Sequence, residues 1–354
     1  MKLKQRLKAG LKKSPRLWGS YWRFKQELLR LWMLRNFVYD IGNTYRAMFW
    51  VPGSHERTTL AAALLFYFHK LEKGMSMPGP RRLFGQEPAS EVMALLRKWR
   101  GAALSETDPV YLGALETLHG FVAHLDRHGL DPKGGISATV RHFLTGFGQR
   151  APHLVTPVGL PPVNLHGNTA HGVFSQLAMA RRSVRDFGEQ PVPDEALLEA
   201  VRLAQLSPSA CNRQPCRVYA VRDVETKKQI LSYQNGNRGF GDRIPVVLVI
   251  TADESCFFDA SERHQPYIDG GLFSMSLCFA LTALGLASCC LNWCVPVSND
   301  RAVHAILGIR ASERIVMFIA TGYASATCAV PRSPRRDETE VLLPLSPSPR
   351  SVEA

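Results

Sequence analysis

The sequence predicts a chain of two parts: a mainly helical N-terminal region, and then a domain in which helices alternate with β-strands. Apolar residues recur at helical spacing through residues 1–150, where no strand pattern is convincing. After residue 172, β-rich runs appear between the helical patterns. Residues 151–171 are rich in Pro, Gly, His and Asn. They separate the helical region from the region with strands, and their composition predicts a linker. A length of 354 residues fits about two domains.

Each element follows from its local pattern and from the Pro or Gly residues that bound it. The N-terminal region divides into a basic arm at 1–50 and a helical region at 51–150, whose predicted helices are 59–74, 91–100, 111–128 and 136–147. The second part, 172–342, has predicted helices at 172–180, 194–206, 224–234, 266–284 and 300–307, and predicted strands at 216–221, 245–251, 289–294 and 314–322. Residues 343–354 are expected to be a flexible tail.

Composition excludes several classes of protein. With 45% apolar and 21% charged residues the chain can build a sizeable core, which excludes a disordered chain, a fibrous repeat and a small disulfide scaffold. The net charge of +13 is concentrated at one end, because residues 1–50 carry +10 and the remaining 304 residues carry +3. The basic character therefore belongs to the N-terminal arm and not to the body of the protein.

The basic arm combines its charge with apolar side chains at helical spacing. These are Leu3, Leu7, Leu11, Trp18, Trp22, Leu29 and Trp32. Such an amphipathic helix is typical of attachment to an anionic membrane surface, and the alternative of a solvated helix that packs this stripe on the rest of the fold stays open. Nucleic acid is not favoured as a partner, since no binding motif accompanies the charge. The start lacks the apolar core of a secretory signal, so we expect a cytoplasmic protein, peripheral to the inner face of the membrane if the arm binds there.

All eight cysteines lie in the second part of the chain. Their spacings include no Cys-x-x-Cys pair and no companion His at zinc-ligand distance, which predicts free thiols in a reducing compartment and no structural metal. Residues 270–297 contain no charge, yet their Gly, Ser, Asn and Pro residues predict a buried helix followed by a core strand and not a membrane span.

Two segments carry polar groups suited to a bound cofactor. Arg181 to Phe187 holds three guanidiniums and a hydroxyl, which suit a phosphate, although a solvated basic loop would look the same. In the segment from Ser207 to Pro215, Pro215 is expected to restrict Gln214 to extended conformations and to hold the Asn212 and Gln214 amides near the following strand. Amides donate and accept together, as a heteroaromatic edge requires, but a capped loop is the simpler alternative.

Two further segments lie later in the chain. One runs from Tyr267 through an apolar helix to Cys290-Leu291-Asn292-Trp293, and the other is the strand ending at Gly322-Tyr323, followed by basic residues. Alone, each is explained by an ordinary core element or a solvated tail. The order and spacing of all four segments are more specific than any one of them.

With these four segments taken together, the part of the chain from about residue 172 to residue 342 resembles the FMN-dependent nitroreductase-like family. The motifs R-R-S-x-R-x-F, P-S-x-x-N-x-Q-P, A-L-G-L, G-Y and a late basic pair occur in the family's order, at residues 181–187, 208–215, 283–286, 322–323 and 335–336. This resemblance implies an α+β fold with a central mixed sheet flanked by helices, and a homodimer with FMN at the subunit interface. It also implies NAD(P)H as the reductant and a small conjugated acceptor, such as a quinone, a nitro compound or a dedicated biosynthetic intermediate.

The resemblance also implies roles for individual residues. The FMN phosphate and ribityl chain would be held by Arg181, Arg182, Ser183 and Arg185, and by Arg335 with Arg332 or Arg336. The isoalloxazine ring would lie near Asn212 and Gln214, in a loop shaped by Pro208 and Ser209. The backbone of Cys290, Leu291, Asn292 and Trp293 would face flavin N5. No side chain is expected to be catalytic, because the chemistry takes place at the flavin.

This chain departs from the family pattern at three points. Cys216 stands where the family often has an aromatic residue beside the flavin, and Asn292-Trp293 replaces a small Gly-containing pair, which would narrow the pocket over N5. The helical region is additional to the minimal domain, where it would cover the active site or replace a dimer contact. Bulk nitroaromatic reduction is therefore not the expected natural role. An accessory protein without redox turnover, held at the membrane by residues 1–50, and an enzyme reduced by a partner protein remain alternatives.

Overall fold

A computed structural model describes residues 14–48, 56–77, 82–147, 168–331, 333 and 335–343. Within these ranges the predicted two-part organisation is observed, with helices alone before residue 148 and a helix-flanked sheet after residue 168. The helices are α1 (Pro15–Ala47), α2 (Arg57–Ser76), α3 (Gln86–Gly101), α4 (Pro109–Arg127), α5 (Gly135–Thr145), α6 (Asn168–Ala180), α7 (Asp194–Ala204), α8 (Val224–Ser232), α9 (Gln265–Ala283), α10 (Val297–Leu307) and α11 (Glu338–Val341). The strands are β1 (Cys216–Val221), β2 (Val246–Asp253), β3 (Ala287–Asn292) and β4 (Glu313–Gly322).

Helices α2 to α5 form a separate apolar core. Its largest fully buried side chains are those of Trp99, Tyr111 and Phe121. Asp108 begins α4 by accepting the backbone N–H of Val110 at 2.9 Å, and Pro109 occupies the first helical position, where no N–H is needed. This helical region therefore has its own core and is more than an extension of the domain that follows.

The sheet has the strand order β1-β2-β4-β3, and these four strands pair antiparallel throughout. The predicted mixed sheet is wrong in this respect. A parallel contact is present in the described residues as an isolated bridge between Ser183 and Ser288, where the chain touches β3 and then turns away. The helix-flanked α+β arrangement itself is confirmed, since α8 and α10 cover one face of the sheet and α7 and α9 cover the other.

The uncharged segment 270–297 folds as predicted, into the buried part of α9 and the whole of β3. Phe273, Leu277 and Leu281 of α9 pack on the sheet. No helix among the described residues is both long and apolar enough to span a membrane. All eight cysteines lie in the described part of the chain and carry free thiols.

Some predictions fall on residues that the structure does not describe. These include the first part of the basic arm, most of the predicted linker and the last residues of the tail. The proposed domain boundaries therefore stay a prediction. Within the described residues α1 is a single helix of 33 residues. Its exposed apolar side chains include Phe24, Leu28, Leu31 and Leu34, so apolar surface extends well beyond the predicted Trp stripe.

Candidate functional site

The segment Arg181 to Phe187 follows α6 and is fixed by its backbone and its two buried apolar residues. The N–H of Val184 donates to the carbonyl of Ser288 at 3.0 Å, and Phe187 bridges Ala324 beyond β4. With Val184 and Phe187 turned into the core, Arg181, Arg182 and Ser183 are half-buried and Arg185 is exposed. The polar residues of the motif are therefore held along the start of β3.

The arginines of this segment affect the pKa of Cys289, a residue of β3. Arg181 lowers the pKa of Cys289 and Arg185 lowers it more, both against the larger effect of burial, which raises it. Among the described residues, no carboxylate forms a salt bridge with Arg181 or Arg185. Two guanidiniums without a carboxylate, next to the hydroxyl of Ser183, are a donor set that fits a phosphate group.

The loop from Pro208 to Pro215 is a tight turn with an uncommon backbone. Cys211, Asn212 and Gln214 have φ angles of 51°, 54° and 50°, in the left-handed region that residues other than Gly seldom adopt. The prediction that Pro215 keeps Gln214 extended is wrong. The N–H of Gln214 donates to Ser209 Oγ at 3.0 Å and its side-chain amide donates to the Asn212 carbonyl at 3.2 Å, which closes the loop on itself. Strain of this kind at exposed amide side chains is typical of binding sites.

Arg213, which sequence reasoning did not single out, holds this loop. Its side chain is fully buried, forms a bidentate ion pair with Glu262, and lies over the rings of Phe257 and Phe258 at 4.9 and 5.0 Å. Asp269 of α9 supports the same loop by accepting the N–H of Ala210 at 3.1 Å. Neither contact can be predicted from the sequence, because the partner residues lie about 50 to 60 residues further along the chain.

Cys216, the first residue of β1, contributes a half-buried thiol. Burial, with a smaller effect of Asp269, raises its pKa to about 12. It lines a cavity of about 250 Å³ together with Pro208, Ser209 and the α2 residues Arg57 and Thr58. The loop is therefore in contact with the helical region on one side.

The end of β3 presents the segment Cys290 to Trp293. Leu291 is buried, and Cys290 and Asn292 are exposed. The indole of Trp293 stacks on Phe318 at a centroid distance of 4.5 Å, and its N–H donates to Asp300 at 2.8 Å. The bulky side chain that replaces the family's small residue is thus pinned in one position.

Trp293 and helix α1 form the walls of a larger cleft of about 690 Å³. Tyr39 of α1 donates to Asp300 at 2.9 Å, so the same carboxylate holds both α1 and Trp293. The other lining side chains are mainly aromatic or apolar and include Trp32, Met33, Tyr267, Val295, Val316 and Met317. Asn36 also lines the cleft, and its buried Oδ1 has no hydrogen-bond partner among the described residues.

The candidate phosphate segment and the candidate ring loop meet α9 at different points. The loop contacts Asp269, whereas Arg181 lies near Cys278, nine residues and about 13 Å further along the helix. This part of α9 exposes an apolar face: Leu272 and Met275 lie between the two points and Ile268 directly precedes Asp269, and each is more than 40% exposed.

The late basic residues lie in the tail that follows β4. Arg335 and Arg336 are exposed, and the guanidinium of Arg335 donates to the carbonyl of Ser333. Arg332 lies outside the described residues. The structure brings Arg181, Ser183, Arg185 and the Cys290 segment together at β3, and it leaves the two described late arginines on the tail.

Comparison with known proteins identifies the second part of the chain. The model of the nitroreductase family matches residues 178–237 and 227–323. This part of the chain is a nitroreductase-family domain. An iodotyrosine deiodinase of Hydra vulgaris is 23% identical over an alignment of 189 residues, and the alignment covers 46% of this chain and 70% of that protein. An NADH dehydrogenase of Thermus thermophilus is 37% identical over 94 residues, 26% of this chain and 45% of that protein.

Solved structures resemble about half of the chain. A nitroreductase family protein of Streptococcus pneumoniae covers 49% of this chain and 100% of its own, at 20% identity and a TM-score of 0.42. A nitroreductase-type protein of Desulfovibrio desulfuricans, solved in complex with FMN, covers 49% of this chain and 96% of its own, at 21% identity and a TM-score of 0.42. The family model confirms the expected family for this part of the chain, and its helix-flanked sheet agrees with the expected α+β fold.

Proposed function

We propose that the nitroreductase-family domain binds FMN and transfers electrons from NAD(P)H to a small conjugated acceptor. The observation that carries this proposal is the pair of guanidiniums, Arg181 and Arg185, which stand beside Ser183 at the edge of β3 with no described carboxylate to neutralise them. The strained loop with exposed Asn212 and Gln214 amides supplies the second half of a nucleotide site.

When bound, FMN supplies the redox chemistry, since its N5 accepts a hydride from NAD(P)H and returns two electrons to the acceptor. The residues of this chain bind and orient the cofactor. Arg181, Arg182, Ser183 and Arg185 hold its phosphate and ribityl chain by charge-assisted hydrogen bonds. Asn212 and Gln214 bind the ring edge, in the loop that Pro208, Ser209 and the buried Arg213 shape. The backbone of Cys290 to Trp293 would face N5, and Arg335, with Arg332 or Arg336, would add positive charge from the tail.

The cleft between α1 and Trp293 is the proposed acceptor site. It begins at the segment assigned to N5, its walls are mainly aromatic or apolar and include Trp32, Tyr267 and Trp293, and a flat conjugated molecule suits such walls. Asn36, whose Oδ1 has no hydrogen-bond partner among the described residues, adds a polar group to these walls. Hydroxylated quinones, nitro compounds and, given the deiodinase relatives, halogenated phenols belong in a substrate screen.

The proposal includes a homodimer. The exposed apolar face of α9, with Ile268, Leu272 and Met275, lies between the two halves of the proposed FMN site. A second copy packed on this face would bury it and bring the halves from two chains together. Replacement of Leu272 by Glu should shift the sedimentation coefficient from that of a dimer to that of a monomer and weaken FMN binding at the same time.

The spectrum of the purified full-length protein tests the cofactor. We expect flavin absorbance after reconstitution with FMN, and we expect the double variant Arg181→Ala, Ser183→Ala to bind FMN at least about tenfold more weakly, because charge-assisted hydrogen bonds contribute roughly 1.5–3 kcal/mol each. The matched control is Arg238→Ala, at an exposed arginine of the same domain. A protein that takes up no FMN, or a double variant with unchanged affinity, would contradict the proposal.

Anaerobic addition of NAD(P)H to the FMN-loaded protein tests the reductant. Bleaching of the flavin supports the enzyme. A flavin that stays oxidised instead supports the second candidate, an accessory or partner-reduced flavoprotein held at an anionic membrane through residues 1–50. The observation in favour of this candidate is α1 itself, which exposes apolar side chains beside basic ones along most of its length.

A further inference from the structure

Two of the free cysteines are in contact. Cys278, in the buried part of α9, and Cys290, on β3, have their sulfur atoms 3.5 Å apart. A disulfide needs about 2.05 Å between its sulfur atoms, so a movement of roughly 1.5 Å would close the bond. Cys290 is an exposed residue of β3, whereas the residue Cys278 is only 1% exposed. The pair thus has one member at the surface and one directly behind it.

The surroundings of Cys278 favour its ionised form. The hydrogen bond from Cys290 is the largest influence on Cys278 and lowers its pKa, and the hydroxyl of Ser288 and the charge of Arg181 lower it further, against the effect of burial. The same contact raises the pKa of Cys290.

Other cysteines of the domain lack this environment. Burial raises the pKa of Cys216 to about 12, and it also raises the pKa values of Cys256 and Cys289. Thiols of that kind are inert, because the thiolate is the reactive form. A cation, a hydroxyl and a second thiol around one sulfur are the features of a reactive dithiol.

We propose that Cys278 and Cys290 are a redox-active dithiol that a hydroperoxide oxidises to an intramolecular disulfide. The sulfur of the pair that carries the thiolate attacks one oxygen of the hydroperoxide and becomes a sulfenic acid, and the other oxygen leaves as water or as an alcohol. The second sulfur of the pair then attacks the sulfenic sulfur, the S–S bond forms, and the remaining oxygen leaves as water. The two thiols lose two electrons and both protons, and the O–O bond is cleaved by reduction. A small dithiol such as dithiothreitol reverses the step by exchange.

Cys290 also belongs to the segment assigned to flavin N5, so the test of the dithiol uses mass and not activity and can fail separately from the test of FMN binding. The reduced full-length protein is treated with hydrogen peroxide, alkylated and digested with chymotrypsin, which cuts after Phe279 and Leu291 and so separates Cys278, Cys290 and Cys294. We expect a dithiothreitol-sensitive link between the peptides that contain Cys278 and Cys290, lighter than the reduced pair by two hydrogens.

Serine variants define the pair. Cys278→Ser and Cys290→Ser should each abolish the link and slow the loss of free thiols by roughly tenfold or more, because a lone thiol lacks its partner. The matched control Cys294→Ser, at the other exposed cysteine of this segment, should form the link at an unchanged rate, and so should Cys289→Ser. Circular dichroism spectra confirm that the variants fold.

The proposal is overturned if the link joins Cys289 or Cys294, or if Cys278 of the wild-type protein stays fully alkylatable after peroxide treatment. The alkylation of Cys278 is measured in the wild-type protein, so the proposal can be overturned even if a serine variant fails to fold.

Discussion

Arg213 shows how a single buried charge fixes the geometry of a site. The residue lies between Asn212 and Gln214, the two amides assigned to the flavin ring, and its own side chain points into the protein. Glu262 neutralises it, and aromatic rings of Phe257 and Phe258 surround it. The positive φ angles on either side of it are sustained because this anchor holds the middle of the turn.

Replacement of Arg213 by Ala should lower the free energy of unfolding by about 3–5 kcal/mol. The change leaves the Glu262 carboxylate without its cation in a largely buried place and empties the space between the rings. Urea denaturation measures the loss. Arg263→Ala, at a neighbouring exposed arginine, should change the free energy by no more than about 0.5 kcal/mol. Equal stability of the two variants would show that Arg213 does not anchor the loop.

Glu254 is a second buried charge, and it makes stability depend on pH. Burial raises its pKa from an ordinary 4.5 to about 7, although Arg314 bonds it at 2.9 Å and lowers the pKa. Asp40 of α1 and Asp253 add smaller upward effects. Between pH 4.5 and pH 7 the unfolded chain has lost this proton while the folded chain keeps it. Unfolding then releases a proton, so the free energy of unfolding falls as the pH rises through this window.

The contribution of Glu254 to this fall is expected to be roughly 2–3 kcal/mol between pH 4.5 and pH 8, from about 1.4 kcal/mol for each unit of pKa difference. Glu254→Gln should remove that part of the slope, since the amide does not titrate. The measurement is urea denaturation at four pH values, with Glu189→Gln at an exposed position as the control. A variant that keeps the wild-type slope would assign the pH dependence to other groups.

At the scale of residues, the sequence identified the polar groups of the site but not the conformation that presents them. Arg181, Ser183, Asn212 and Gln214 were visible as a motif. The positive φ of Gln214 was not, because a hydrogen bond to Ser209 outweighs the local preference that Pro215 imposes. Arg213 was missed because its partners come from a distant turn of the chain.

At the scale of elements, prediction worked where apolar periodicity was strong. The bounds of β1 are the predicted ones, and those of α9 and β4 lie within one residue of them, since buried elements leave a clear pattern. The contacts between α1 and the nitroreductase-family domain could not be predicted. They depend on Asp300, which accepts hydrogen bonds from Tyr39 and Trp293, across a sequence separation of 261 residues in the case of Tyr39.

Tyr39→Phe should loosen α1 without unfolding the domain. The variant keeps the ring but loses the hydrogen bond to Asp300, which contributes about 1 kcal/mol. We expect faster cleavage by trypsin after Arg35 and Arg46 of α1, by roughly fivefold, with unchanged thermal unfolding of the domain. Tyr45→Phe, at an exposed tyrosine of the same helix, is the control. Identical cleavage rates in the two variants would show that this hydrogen bond does not hold α1.

At the scale of the whole molecule, two apolar cores are joined by a polar network. Thr58 at the start of α2 accepts hydrogen bonds from Arg217 and Arg310 at 3.3 and 3.2 Å, and both arginines pair with the buried carboxylates of Asp253 and Glu313. The sequence predicted the two parts from their different textures. It could not predict this junction, because the sequence does not show which charged residues on separate elements form ion pairs.

The uneven charge of the molecule leads to a prediction for the full chain. Residues 1–50 carry +10, and the described part of this arm exposes apolar side chains such as Leu28 and Leu31 beside Arg23, Lys25 and Arg30. Both features favour an anionic bilayer, since basic residues near such a surface contribute about 1 kcal/mol each and apolar side chains enter the interface. We expect the full-length protein to sediment with vesicles that contain phosphatidylserine and not with purely zwitterionic vesicles, and we expect a chain without residues 1–50 to stay in the supernatant.

Because that deletion also removes the contact between Tyr39 and Asp300, charge reversal gives the sharper comparison. Arg23, Lys25 and Arg30 lie on the exposed part of α1, so their replacement by Glu should abolish sedimentation while the cleft beside Trp293 stays intact. The same change at Lys228, Arg238 and Arg263 alters the net charge equally but lies in the nitroreductase-family domain. If both triple variants lose binding to the same extent, total charge and not the arm governs the attraction. If neither loses it, the arm is a solvated helix, which is the alternative that its sequence left open.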